Sequence, residues 1–240
     1  MMKRVTDTLR DLARACRILV MEGHGDFSLG HLSLRDPDGR GFWLKRNEFG
    51  IGEIRSERDF ILVSMTGEKL SGEGGRHSEW PIHSAILQAR PDVHVVAHTH
   101  PAHASVLSAS PKGLSPYTLD ADYFTAVPRH AADVALIQTA DQGASLAATL
   151  GPNDAMFLAN HGVAFCGRSV AHATCVGVFL ERACRAELLG RQLMDDAGFP
   201  SPEARATRHS QIMTDQHVQH TWKFLNRKLE ALYPDATPVY

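Results

Sequence analysis

The segment VHVVAHTHP, Val93 to Pro101, decides how this 240-residue chain reads. β-Branched valines suit a pleated, buried surface, so the run predicts a strand over Val93 to His98 that Pro101 then turns away. In an extended segment residues i and i+2 share a face. His98 and His100 therefore present two imidazoles to one side and can approach a single ion. Histidine is also a common turn and surface residue, so the pair needs further donors from elsewhere in the chain.

Two other segments offer them. AMFLAN, Ala155 to Asn160, reads as a second apolar strand, followed by His161-Gly162 and a turn into VAFC. A side chain just past a strand end projects into the cleft where open α/β sheets place ligands. RHSEWPIH, Arg76 to His83, reads as the start of a helix over 78–88, with Pro81 tolerated in its first turn and His83 one turn beyond Glu79. Three neutral imidazoles and a carboxylate suit Zn²⁺ or Mn²⁺. Taken singly, Glu79 also reads as a carboxylate favoured by a helix dipole, and His161 as a turn histidine.

Working outward, Val5, Leu9, Leu12, Cys16 and Leu19 form the stripe of an amphipathic helix ending at Gly23 and Gly25. Short apolar runs between Phe27 and Val63 suggest β-structure, and GEKLSGEGG breaks the chain. Further helices are predicted over 141–150, from Gly167 to about Leu193, and from Ile212 to Leu232, with Pro200 and Pro202 between the last two. No repeat or linker interrupts this order, so residues 1–240 read as one α/β domain with a helical extension from about residue 200.

Composition narrows the function classes. With 25 Lys+Arg against 27 Asp+Glu the net charge is −2, which gives no electrostatic footprint for nucleic acid or an anionic membrane. No run is long and apolar enough to span a bilayer, and charges interrupt any signal-like core at the N-terminus. Cys16, Cys166, Cys175 and Cys184 form no C-x-x-C pair and read as buried thiols, so a cytoplasmic protein is expected. The 14 histidines are an excess to be explained.

The ordered set SEWPIH, RPDVHVVAHTHP and LANHGVAFCG resembles the class II aldolase/adducin family, and the likeness runs from the first helix to roughly Leu193. The resemblance implies an α/β/α layered fold around a largely antiparallel sheet. It also implies metal ligation by His98, His100 and His161, with Glu79 as a fourth ligand or the catalytic acid/base. Homotetramers or higher homo-oligomers with sites at subunit interfaces are expected from it too.

Chemistry within such a family cannot be chosen from fold alone. A non-catalytic adducin-like module is disfavoured, because all four metal-site positions keep side chains able to ligate. Sugar-phosphate aldolases have a Gly/Ser/Thr-rich loop where this chain has GHGDFSLGHLS, with Asp26 flanked by His24 and His31. A carboxylate opposes a phosphate dianion. Lys45 and Arg46 beside Phe42, Trp43 and Phe49 could clamp a flat aromatic acid, with Arg76 and His77 as a second carboxylate contact; equally, the rings could fill the core and the cations face water.

The chain thus looks similar to the decarboxylase branch. That likeness implies a carboxy-lyase acting on a hydroxylated aromatic or pyridine diacid, such as the 3-hydroxy-2-methylpyridine-4,5-dicarboxylate of vitamin B6 degradation. A single divalent ion per subunit is implied, with Mn²⁺ favoured over Zn²⁺. The alternative is an aldolase or epimerase of a sugar or sugar phosphate. His83 is a candidate to support Glu79 from the next helical turn, and Tyr123 and His217 could line a pocket or simply pack.

Overall fold

In the computed structural model, which describes residues 2–132, 135–193 and 198–240, one eight-stranded sheet organises the chain. Its strands are β1 (His31–Arg35), β2 (Phe42–Lys45), β3 (Phe60–Val63), β4 (Lys69–Ser71), β5 (Val95–Thr99), β6 (Arg129–His130), β7 (Ala155–Leu158) and β8 (Gly162–Gly167). They lie in the order β4-β3-β2-β1-β5-β8-β7-β6. All neighbours are antiparallel except β6 and β7. The helices are α1 (Met2–Leu19), α2 (Trp80–Ala89), α3 (Ala102–Ser108), α4 (Ala140–Leu150), α5 (Val170–Leu193), α6 (Pro202–Ile212) and α7 (Asp215–Leu232).

Strand alternation builds two cores. Val95 and Ala97 of β5 join Leu32, Phe157 and Phe165 in a core shared with α1, α3 and α5. Val96, between them, joins Leu44, Ile61, Met156 and Ala164 in a second core under α2 and α4. The result is the layered α/β/α arrangement with a largely antiparallel sheet that the sequence resemblance implies. His98 continues the Val96 face, and β5 pairs in register with β1 so that His31 lies opposite His98 and Ser33 opposite Val96. A line of polar side chains therefore runs along the α2 side of the two central strands.

Three local readings needed correction. The helix predicted over Ile212 to Leu232 is α7 and starts at Asp215, where Thr214 accepts from the His217 N–H; the separate helix α6 precedes it over Pro202–Ile212, a stretch the sequence reading leaves between its prolines and the last helix. Helix α3 carries no capping side chain of its own; instead Glu181 of α5 accepts from the N–H groups of His103 and Ala104. A cap supplied from 77 residues away leaves no local signal. Strand β4 is an exposed edge, and its glycine-rich surroundings read as a break.

All four cysteines are buried and unpaired with one another. Among the described residues no helix is long and apolar enough to cross a membrane.

Candidate metal centre

Three histidines converge where β5 and the β7–β8 turn reach the same end of the sheet's strands. His98 is the penultimate residue of β5, His100 follows it, and His161 sits in the turn before β8. Each offers a nitrogen within 4.8 Å of the others, and His98 Nε2 and His100 Nε2 are 3.0 Å apart. Gly162 is what lets the turn come this close: a Cβ there would lie 2.6 Å from both the His100 ring and the Thr99 carbonyl oxygen.

The other ring nitrogens are anchored. The Val163 carbonyl accepts from His98 Nδ1 at 3.0 Å, and Asp26 Oδ2 accepts from His100 Nδ1 at 2.8 Å. Anchoring Nδ1 fixes the tautomer that leaves a lone pair on Nε2, the form a metal ion requires. Burial, reinforced by the neighbouring imidazoles, holds His98 well below the ordinary imidazole range, and His161 is lowered to about 4 for the same reasons. Neutral rings are the ligating ones.

Glu79 approaches from the residue before α2. Its Oε1 accepts from the Ile137 N–H at 3.0 Å, and its Oε2 stands 3.6 Å from His98 Nε2 and 3.9 Å from His161 Nε2. Burial raises its pKa, an effect opposed by the Ile137 hydrogen bond. His31, Glu79 and His98 form a second convergent group that shares His98 with the first. By donor chemistry, the set His98, His100, His161 and Glu79 fits a divalent transition metal ion.

His100, His161 and Glu79 wall a cavity of about 510 Å³ together with Asp26, Leu29, Gly30, His31, His77, Ser78, Ser105 and Leu136, and His98 is fully buried beside them. Larger clefts, of about 680 Å³ between α1, α5 and α7 and about 600 Å³ between α2 and α4, contain no such donor cluster. Volume alone does not mark the chemistry.

The expected cations are placed elsewhere. Lys45 is fully buried, and its ammonium donates to the backbone carbonyls of Ser28 and Phe49. Arg46 pairs with Asp59 at 2.7 Å and lies over the Phe49 ring, while Arg76 lies over Trp80. None of the three lines the cavity. The strand β2 carries Lys45 into the protein, and nearby carbonyls, a carboxylate and aromatic faces engage all three cations locally, with Arg46 Nε alone among these groups buried without a partner. Of the expected substrate contacts, only His77 reaches the cavity.

His83 does not support Glu79. It is buried on the sheet-facing side of α2, where His31 Nδ1 meets its Nε2 at 2.6 Å and Ser33 Oγ meets its Nδ1 at 2.7 Å. Tyr123 packs on Phe179, with ring centroids 3.6 Å apart, and its hydroxyl meets His217 Nε2 at 2.6 Å; neither is a lining residue of the metal cavity. Two further members of the site carry weaker signals in the sequence: Asp26 reads there as a charge opposing phosphate and His31 as one of the histidines near the Asp26 loop, although the HLSLR alternation after Gly30 marks a strand that puts His31 and Ser33 on one face.

The profile of class II aldolase and adducin N-terminal domains matches residues 10–188. The chain belongs to this family. The aldolase II superfamily protein from Pseudomonas syringae superposes with a TM-score of 0.83 at 27% identity, covering 96% of this chain and 94% of that one. L-Fuculose 1-phosphate aldolase from Glaciozyma antarctica PI12 shares the fold, with a TM-score of 0.81 at 24% identity over 95% and 90% of the two chains. The 3,4-dihydroxyphthalate decarboxylase of Arthrobacter keyseri is 27% identical over 185 residues, 71% of this chain and 73% of that protein. Class II aldolase family membership thus spans both aldolase and decarboxylase relatives.

Proposed function

We propose that this class II aldolase family member is a divalent-metal-dependent decarboxylase of a hydroxylated aromatic or pyridine dicarboxylate. The observation that carries the reading is the convergence of three imidazoles, two of them held at Nδ1, on a buried carboxyl. The likeness to a decarboxylase of a dihydroxylated aromatic diacid supports the choice among family chemistries.

In this reading His98, His100 and His161 hold the ion, with Glu79 beside them. A bound divalent cation supplies an electrophile that stabilises the electron pair left when a carboxylate departs as CO₂. Val163 and Asp26 keep the two β5-end imidazoles in the ligating tautomer. Glu79, raised by burial, retains its proton to higher pH than an exposed glutamate, and Oε2 delivers that proton to the ring carbon that lost CO₂. Leu29 and Leu136 add apolar surface to the cavity wall. The finer parts of the reading are Mn²⁺ as the ion, a cytoplasmic homotetramer as the assembly, and no nucleic-acid or membrane partner.

The test is CO₂ release by Mn²⁺-loaded and Zn²⁺-loaded protein from 3,4-dihydroxyphthalate and from 3-hydroxy-2-methylpyridine-4,5-dicarboxylate, with loss of turnover on chelation. Aldehyde release from a sugar phosphate, with no CO₂ from either diacid, overturns the proposal. Elemental analysis and light scattering check the ion and the tetramer.

A further inference from the structure

Lys45 is a fully buried cation that the chemistry described so far does not use. Its ammonium donates to two backbone carbonyls, that of Ser28 at 3.2 Å and that of Phe49. Taking an ammonium out of water onto neutral carbonyls is expensive, and a methionine would fill a comparable volume without that cost. What the ammonium adds is a pair of charge-assisted donors aimed at two separate turns.

The first turn belongs to the metal centre. It is closed by the Leu29 N–H donating to the Asp26 carbonyl at 2.9 Å, and Asp26, Leu29 and Gly30 wall the cavity. Asp26 Oδ2 accepts from His100 Nδ1 at 2.8 Å. The second turn, from Arg46 to Gly50, presses against the first: a Cβ on Gly50 would lie 2.4 Å from the Phe27 carbonyl oxygen. Glu53 holds this second turn by accepting from the Gly50 N–H at 2.7 Å. The Lys45 ammonium thus bridges the turn that carries Asp26 and the one that backs it.

We propose that Lys45 is a positioning residue: its ammonium clamps the Asp26–Gly30 turn against Phe49 and, through Asp26, holds His100 in the orientation that takes up the ion. The inference rests on the metal-dependent reading and adds Lys45 to it. The groups facing the ammonium are Cys16 of α1, Glu53, His31 of β1 and His77. Burial lowers Lys45 from 10.5 to about 8, against the opposing influence of Cys16 and Glu53. Burial also pushes Cys16 up to about 12, lowers His77 to about 3 and holds His31 well below the ordinary imidazole range. From about pH 7 to about pH 9, therefore, Lys45 changes charge while Cys16, His31 and His77 do not. A neutral amine keeps hydrogens to donate but loses the charge assistance.

Mn²⁺ affinity, measured by competition with a chelator at about pH 7, is expected to weaken about tenfold in Lys45→Met and to recover in part in Lys45→Gln, which keeps a donor. In an Asp26→Ala background the same Lys45→Met change is expected to cost less than about twofold, because the path through Asp26 is already cut. A lysine that only fills space would weaken the ion equally in both backgrounds. At about pH 9 the advantage of wild type over Lys45→Met is expected to shrink to about threefold. Hydrogen exchange at the Leu29 amide of the metal-free protein is expected to quicken about tenfold in Lys45→Met. Thermal melts confirm that each variant is folded, and Lys45→Gln carries the same cycle if Lys45→Met does not fold. Normal Mn²⁺ uptake by wild type with affinity unchanged in the Lys45 variants overturns the inference and leaves the decarboxylase reading intact, as does an equal loss in both backgrounds. A wild-type protein that takes up no divalent ion removes the metal-dependent reading and the inference with it. Ion uptake that depends on Lys45 through Asp26, with no CO₂ from any diacid, supports the inference and removes the decarboxylase reading.

Discussion

Two sets of histidines lie side by side in this protein and differ in how many ring nitrogens the fold itself occupies. His24 and His83 have both engaged: His24 meets Thr99 Oγ1 and the Gly177 carbonyl, and His83 meets His31 and Ser33. His98 has Nδ1 anchored on the Val163 carbonyl and Nε2 turned toward His100 Nε2 and Glu79. His24, His83 and His98 are all buried and lowered in pKa chiefly by burial. Burial and titration behaviour therefore do not separate a structural histidine from a chemical one. The leftover lone pair does.

The sharpest way to test the division is at the group placed between the open nitrogens. Glu79→Gln keeps the size and the Ile137 contact but cannot supply an acid, so kcat on the diacid substrate is expected to fall roughly 10²- to 10⁴-fold with metal content per chain little changed. Turnover near the wild-type value would remove Glu79 from proton transfer. One step out, Asp26→Ala frees His100 Nδ1, and metal affinity measured by competition with a chelator is expected to weaken about 10- to 100-fold.

The closed histidines should answer in stability instead. His24→Ala strips partners from Thr99 and Gly177 and is expected to cost about 2 kcal/mol in denaturant unfolding, with metal stoichiometry retained. The pH dependence follows from direction. His24 is lowered to about 4 from 6.5, so its contribution is full above pH 6.5 and is lost as pH falls through 4. The wild-type melting temperature should drop across that window, and less steeply in His24→Ala. The smallest effect is expected at Arg76→Ala, whose guanidinium lies over Trp80 outside the cavity: KM should shift less than about twofold, against a loss of roughly 0.5–1 kcal/mol in stability. A large KM increase would return Arg76 to the substrate site.

Much of the layout was legible because strand and helix periods are local. The β5 alternation places His98 and His100, the turn glycine after His161 is visible in the chain, and α2 begins within two residues of its predicted start. What was not legible depended on distant partners. Lys45 and Arg46 look available in FWLKRNEF, and only the folded chain brings the Ser28 carbonyl and Asp59 to neutralise them. The His31–His83–Ser33 chain likewise needs α2 packed over β1. Identity of residue types announces a site; which hydrogen faces which acceptor is a property of the assembled layers.

The turn from Asp26 to Gly30 ties the metal centre to the backbone. Asp26 reaches His100, the Ser28 carbonyl accepts from Lys45, and between them Phe27 holds a φ of 47° with its ring 93% exposed. A non-glycine residue in that region carries a conformational cost of about 1–3 kcal/mol. If His100 ligates an ion as proposed, the same carboxylate orients that imidazole and fastens this turn, so ion uptake and turn closure share one thermodynamic cycle and each strengthens the other by an equal factor. The affinity of the centre for its ion thus includes the free energy of holding Phe27 outward, and the rate at which chymotrypsin cuts after Phe27 becomes a gauge of how well the centre is filled.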